Sequence, residues 1–218
     1  MDEEKRKTIA GQLRQPSGDY AIEVGKKMNE GNHAINLYTI EVLNLKPGDN
    51  ILEIGMGNGL FVKDIVQGDS TITYTGLDFS ETMINEANKY NEGFIKSGQV
   101  KFILCNAETL PFGNELFDKV FSVNTIYFWD HPNLVLSEIY RVLKPNGQII
   151  ISIRPKSVMQ HYPFVKYGFS LFTKDDLENL LTNNNFRVTT TLEKEEPELE
   201  MGEEKMKIET LIVCAEKL

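Results

Sequence analysis

From about Asn50 onward the chain alternates short β-branched or aliphatic runs with longer stretches of helical period. That pattern predicts a parallel sheet covered by helices on both faces. The runs are 50–54, 73–77, 100–104, 117–123 and 148–153. Between them, Ser80 is placed to cap a helix over 81–90 that puts Met83, Ile84 and Ala87 on one face. Pro132 suits the first turn of the next helix, whose stripe of Leu136, Ile139, Val142 and Leu143 ends at the stop Lys144-Pro145-Asn146-Gly147. Thr173 with Asp176 reads as a capping box ahead of Leu177, Leu180 and Leu181, with the Asn-rich turn 183–185 behind them. Two more strands are expected near 186–192 and 207–215. The Glu-rich stretch between them, 193–204, is too charged for a core and reads as the solvated tip of a hairpin. Residues 1–31, interrupted by Pro16, Gly18, Gly25 and Gly31, are expected to form a small cap or flexible arm on a domain spanning 32–218.

With 218 residues, 41% hydrophobic and 25% charged, the chain can bury one sizeable core without a disulfide or structural metal. Its two cysteines, Cys105 and Cys214, sit far apart in apolar runs and are expected to be reduced thiols of a cytoplasmic protein. No metal site is expected. Net charge is −9, from 23 Lys+Arg against 32 Asp+Glu, so no broad phosphate-binding surface is cheaply assembled and nucleic acid is not an expected partner. The first 14 residues are charged from residue 2 and lack an apolar leader core, and no later apolar run approaches the ~18 residues that cross a bilayer.

The chemistry concentrates in Ile51-Leu52-Glu53-Ile54-Gly55-Met56-Gly57-Asn58-Gly59-Leu60, a buried strand running into three glycines and then a helix. Without Cβ atoms the backbone can turn sharply and lie against a ligand, while the next helix presents unpaired amides. Asp78 ends the second strand, 19 residues beyond Gly59, where a doubly wound sheet places an acidic group to accept from ribose hydroxyls. The glycine spacing, Gly-x-Gly-x-Gly, departs from the gap of three that the dinucleotide fingerprint wants, which argues against a nicotinamide or flavin cofactor.

These motifs together resemble the class I S-adenosylmethionine-dependent methyltransferases, in particular the small-molecule branch that makes ubiquinone and menaquinone. The family's first motif resembles 53–59, its acidic ribose ligand Asp78 in Leu77-Asp78-Phe79-Ser80, and its adenine segment Asn106-Ala107-Glu108-Thr109-Leu110-Pro111-Phe112. Phe117-Asp118-Lys119-Val120-Phe121-Ser122 is similar to the family's fourth strand, and Leu143-Lys144-Pro145-Asn146-Gly147-Gln148 to its turn into strand five. The resemblance covers about 45–153. It implies a three-layer, doubly wound Rossmann-like α/β fold, its seven strands ordered 3-2-1-4-5-7-6 with the last antiparallel. It further implies S-adenosylmethionine as cofactor and S-adenosylhomocysteine as product. Carried over residue by residue, it implies a cofactor-binding set of Glu53, Gly55, Gly57, Gly59, Asp78, Phe79, Met83, Asn106, Ala107, Glu108 and Asn124. Where the family commonly has Asp in the adenine segment this chain has Asn106, whose oxygen still accepts from an amino group but carries no charge. Phe79 and Met83 are either an apolar wall or plain core, and Glu108 is either near the ligand or a helix start.

Methyl transfer asks the protein mainly for orientation, and for a proton acceptor when the methyl acceptor is a hydroxyl. The segment 124–131 after the fourth strand is the expected wall of the acceptor site, and its aromatics suggest a small apolar or ring-bearing acceptor. Tyr127 and His131 are the candidates for a base, although a surface or capping role is the commoner one for a His placed like His131. Residues 155–172, rich in aromatics, suit a lid, and Tyr20, Met28 and Asn36 of the arm face it only by position. Two other readings use the same chain: a cofactor-binding subunit without turnover, and a nicotinamide-dependent reductase. Tyr140 with Lys144 and Tyr162 with Lys166 fit the reductase's Tyr-x-x-x-Lys pattern, at a frequency chance explains among eight tyrosines. Oligomeric state is not legible.

Overall fold

The computed structural model describes residues 2–201 and 204–218. Three helices come first, α1 (Glu3–Arg14), α2 (Ala21–Gly31) and α3 (His33–Leu43). Then follow β1 (Asn50–Ile54), α4 (Val62–Val66), β2 (Thr73–Asp78), α5 (Glu81–Tyr90), α6 (Glu92–Lys96), β3 (Val100–Leu104) and β4 (Phe117–Val123). After a 3₁₀ turn at Ile126–Phe128 come α7 (Pro132–Val142), β5 (Leu143–Ile153), α8 (Lys156–Met159), α9 (Lys174–Asn183), β6 (Phe186–Met201) and β7 (Glu204–Lys217). The strands form one sheet in the order β3-β2-β1-β4-β5-β7-β6. All pairs from β3 to β5 are parallel, and β7 runs antiparallel to both of its neighbours. This is the expected seven-stranded topology.

The near-continuous apolar runs reflect a sheet buried on both faces. Neighbouring residues of one strand serve opposite cores. Ile51 packs with Ile35, Leu43, Val62, Ile65 and Val66 from α3 and α4. Leu52 and Ile54 pack with Leu136, Ile139, Leu177 and Leu181 from α7 and α9. Helix starts follow the capping chemistry: the Ser80 hydroxyl accepts from the Met83 amide, and Thr173 with Asp176 makes a reciprocal capping box.

Three expectations change. The stop after α7 is not a loop outside the sheet: Leu143 already pairs with Phe117, and 144–147 bulges before the regular ladder resumes at Gln148 opposite Lys119. The two last strands are much longer than 186–192 and 207–215, pairing through Met201 and Glu204; the tip, residues 202 and 203, lies outside the described residues. Most importantly, Glu196 in the Glu-rich stretch is not solvated. Strand alternation turns it inward, where it is 9% exposed. It accepts from Arg154 Nη2 at 2.8 Å and from the Thr210 hydroxyl at 2.7 Å. A buried guanidinium supplies the charge that lets a carboxylate enter the core. Cys105 and Cys214 are unpaired and half-buried, and burial pushes the Cys214 thiol up to about 11.

Residues 2–31 form α1 and α2 with a non-helical link at 15–20, and lie over the carboxyl ends of the strands. Arg14 pairs with Asp130 at 2.5 Å, the Gln15 side chain donates to the Phe79 carbonyl at 2.8 Å, and the Ser80 hydroxyl donates to the Pro16 carbonyl. Gly25, within α2, lets that helix settle onto the floor below it: a Cβ there would meet Met83 Cε at 3.2 Å and Asn58 Nδ2 at 3.4 Å. Among the described residues no helix is long and apolar enough to cross a membrane.

Candidate active site

The loop after β1 is built on glycines at 55, 57 and 59, with φ of +75°, +60° and +67°. At Gly55 the reason is also steric. A Cβ would lie 2.5 Å from Thr125 Cγ2 and 2.6 Å from its Oγ1, so the loops after β1 and β4 touch here. At Gly57 a Cβ would meet nothing within 4 Å, so a side chain there would stand in the open space the loop borders. The Gly57 amide donates to Asp78 Oδ2 at 3.0 Å, and the Ser80 amide donates to Oδ1 at 2.8 Å. The Asp78 carboxylate is 8% exposed, and burial pushes it up to about 6 against those amides. Glu53, one strand nearer the centre, accepts from the Tyr74 hydroxyl at 2.5 Å. Burial pushes its carboxyl up to about 7.

Two clefts open at the carboxyl edge of the sheet and share Gly55. The first, about 530 Å³ and open to solvent, runs over Asp78 and Phe79 to Asn106 and Ala107, under Phe128 and Trp129. The second, about 440 Å³, lies over Glu53, Gly57 and Asn58, with Asn29 of α2 and Asn32 and Asn36 at the start of α3 opposite. Both are open to solvent, and they meet end to end at Gly55. They lie where β1 and β4 leave opposite ways across the sheet, the switch point at which open α/β sheets receive ligands.

The family profile described as "Methyltransferase domain" matches residues 52–151. The uncharacterized methyltransferase YdaC of Bacillus subtilis is 33% identical over 132 residues, covering 61% of this chain and 71% of that protein. The chain belongs to the methyltransferase family. It is also similar to the ubiquinone/menaquinone biosynthesis C-methyltransferase UbiE of Burkholderia cenocepacia, 26% identical over 154 residues, covering 69% of this chain and 61% of that one. Its fold matches the solved SAM-dependent methyltransferase from Aquifex aeolicus with a TM-score of 0.70 at 18% identity, covering 89% of this chain and 97% of that one.

In this methyltransferase the structure gathers most, not all, of the expected site residues. Gly55, Asp78, Phe79, Asn106, Ala107 and Glu108 line the first cleft, and Glu53, Gly57 and Met83 the second. Gly59 lines neither; it packs against Ala87 and its carbonyl accepts from Asn91. Asn106 Oδ1 already accepts from the Glu108 amide at 3.0 Å, which leaves one lone pair for a ligand. Asn124 lines neither cleft. Its oxygen faces the Tyr127 hydroxyl at 3.0 Å and the Arg154 amide at 3.2 Å, and its NH₂ donates to Asn32 Oδ1 at 3.1 Å, tying the sheet to the cap.

Of the two base candidates, Tyr127 is scaffolding. Its hydroxyl is buried between the Arg154 amide and carbonyl, each at 2.7 Å, and burial pushes it well above the ordinary phenol range. His131 sits at the rim, mostly exposed, with Nδ1 2.9 Å from Glu108 Oε1. The Tyr140 and Lys144 pair is elsewhere: Tyr140 donates to the Leu218 carbonyl and Lys144 to Asp118, at the amino ends of β4 and β5. Of the arm residues, Met28 and Asn36 line the second cleft and Tyr20 is 73% exposed. Thr125, within the expected wall 124–131, does line the first cleft, whereas sequence reasoning missed Arg14, Asn29 and Asn32, which reach the clefts only because the N-terminal helices fold over them. Among the described residues no three His, Cys, Asp or Glu side chains are grouped to hold a metal.

Proposed function

We propose that this methyltransferase uses S-adenosylmethionine and delivers its methyl group to a small, apolar or ring-bearing acceptor. The observation that carries the reading is the pair of clefts meeting at Gly55, one ending at a ribose-type carboxylate and the other at a buried carboxylate among amides. That is the shape and polarity of a nucleoside joined to an amino acid. Bound there, S-adenosylmethionine supplies a methyl group already activated on a sulfonium sulfur. The chain's own residues orient it. Asp78 keeps lone pairs for the ribose hydroxyls after serving Gly57 and Ser80. Phe79 and the Ala107 backbone flank the base, and Gly55 lets the backbone approach the centre of the ligand with no Cβ in the way. The site also carries a fit signal of its own: Asn58, on the cleft floor, is 4% exposed and its Oδ1 has no partner. Phe128, which lines the first cleft, packs ring to ring with Tyr127 and Phe169, and Phe169 with Phe164; this aromatic backing supports an apolar acceptor.

Thermal unfolding tests the donor. S-adenosylhomocysteine at about 100 times its Kd stabilises by ~2.7 kcal/mol, a rise of roughly 5–11 °C for a chain of this size, and NADH gives none. Gly57→Val, which places a β-branched residue at φ +60° in the second cleft, removes the S-adenosylhomocysteine shift while the protein stays folded. A shift retained in Gly57→Val, or obtained with NADH instead, overturns the reading.

A further inference from the structure

We infer that Asn29 of α2 and Asn32 between α2 and α3, both outside the sheet, recognise the amino-acid end of the donor and make the second cleft specific for a nucleoside that carries a zwitterionic amino acid. The inference rests on the S-adenosylmethionine reading above. It goes beyond it in assigning specificity to residues outside the sheet and its loops.

A zwitterion presents an ammonium that needs acceptors and a carboxylate that needs donors, and neither is left unsatisfied at low cost in a confined cleft. Glu53 is the only charged residue lining the second cleft among the described residues. One of its oxygens is taken by Tyr74, and the other remains for an ammonium. With no Lys, Arg or His in that lining, a carboxylate there must be held by neutral N–H groups. The Gly loop offers little of this, because the amides of Gly55 and Met56 already donate to the Leu77 carbonyl, that of Gly57 to Asp78 and that of Gly59 to the Met56 carbonyl. The opposite side is formed by the end of α2 and the start of α3, and its amide groups are divided between structural and unspent. Asn36 commits one of its two N–H donors to the Asn32 carbonyl at 2.8 Å, which ties its amide to the helix. Asn124 donates into Asn32 Oδ1, which fixes the Asn32 side chain by its oxygen and leaves its NH₂ as the unspent group. Asn29 makes no side-chain hydrogen bond among the described residues.

Asn58 gives the independent sign that a ligand belongs here. It lines the same cleft, is 4% exposed, and its Oδ1 lacks any donor. Buried amide oxygens are satisfied in folded proteins, and an exception at a cleft calls for a missing partner. An ammonium shared between Glu53 and Asn58 is such a partner, and it places the carboxylate of the same amino acid toward Asn29 and Asn32. The α2 helix is close enough for this, since it rests on Asn58 and Met83 through Gly25.

The test is calorimetric titration of the full chain with S-adenosylhomocysteine and with 5′-methylthioadenosine, the same thionucleoside without the amino acid. Asn29→Ala removes one donor. Asn32→Asp keeps the shape and the bond from Asn124 but sets a negative charge where the carboxylate should lie. Each variant is expected to weaken S-adenosylhomocysteine by about tenfold or more, the loss of one charge-assisted hydrogen bond, and to leave 5′-methylthioadenosine within about twofold of the unsubstituted chain. An unchanged affinity for S-adenosylhomocysteine in both variants overturns the inference. So does an equal loss for both ligands, because that would report damaged cap packing and no recognition of the amino acid. If the unsubstituted chain binds neither compound, the donor reading itself is wrong and the inference falls with it.

Discussion

Glu196→Ala is expected to destabilise the protein by about 3–5 kcal/mol, because it strands a buried guanidinium. Side-chain exposure at the pair is 10% for Arg154 and 3% for Glu196. Glu196 accepts from Arg154 Nε at 3.2 Å, from Nη2 at 2.8 Å and from Thr210 at 2.7 Å. Its removal leaves Arg154 with the Gly31 carbonyl as its remaining side-chain partner and leaves the Thr210 hydroxyl without an acceptor. For a chain of this length each kcal/mol is worth roughly 2–4 °C, so the melting temperature should fall by about 6–20 °C. Urea unfolding followed by circular dichroism of Glu196→Ala, Arg154→Met and the double variant measures the coupling directly. The double variant should lose less than the two singles together, since it leaves no unpaired charge. Glu41→Ala is the control. It breaks the Lys194–Glu41 pair, whose carboxylate side chain is 68% exposed, and should cost at most about 1 kcal/mol. A loss of under about 1 kcal/mol for Glu196→Ala would show that the residue is solvated, as the charge pattern of its segment alone suggests, and would refute the buried-pair argument.

Two further outcomes test the loop and the buried acid. Gly55→Ala should cost roughly 1–2 kcal/mol for a left-handed non-glycine residue and about 1–3 kcal/mol more for the collision with Thr125; Thr125→Ala should restore only the second part, and an undiminished urea midpoint in Gly55→Ala would contradict the close approach. Glu53 has a folded-state pKa raised from 4.5 to about 7, so the stability it contributes is fully present below pH 4.5 and is lost as pH rises through 7. Glu53→Gln keeps the Tyr74 bond and removes that loss. Its melting temperature relative to the unsubstituted chain should therefore rise between pH 5.5 and pH 8, and a constant offset would refute a raised Glu53.

The sequence by itself determined the sheet and the floor of the site. Alternating apolar runs set the strands, because each buried strand must offer side chains to two cores, as Ile51 and Leu52 do. Capping chemistry at Ser80 and Thr173 set helix starts, because those bonds are made within a few residues. The glycine loop and Asp78 were legible for the same reason: their roles depend on backbone conformation and strand position, which are local. Glu196, Asn32 and Tyr127 were not legible in this way, because each role depends on a partner far away in the chain. Glu196 enters the core only because Arg154 is already there, 42 residues earlier. Asn32 reaches the second cleft only because Asn124, 92 residues later, and Gly25 hold the cap against the sheet. Tyr127 looks like a base in sequence and is a strut in space, since its hydroxyl is enclosed by the Arg154 backbone. Local rules thus decided where a ligand can lie, and tertiary packing decided which charged and amide groups face it, because burial and pairing are properties of the assembled chain.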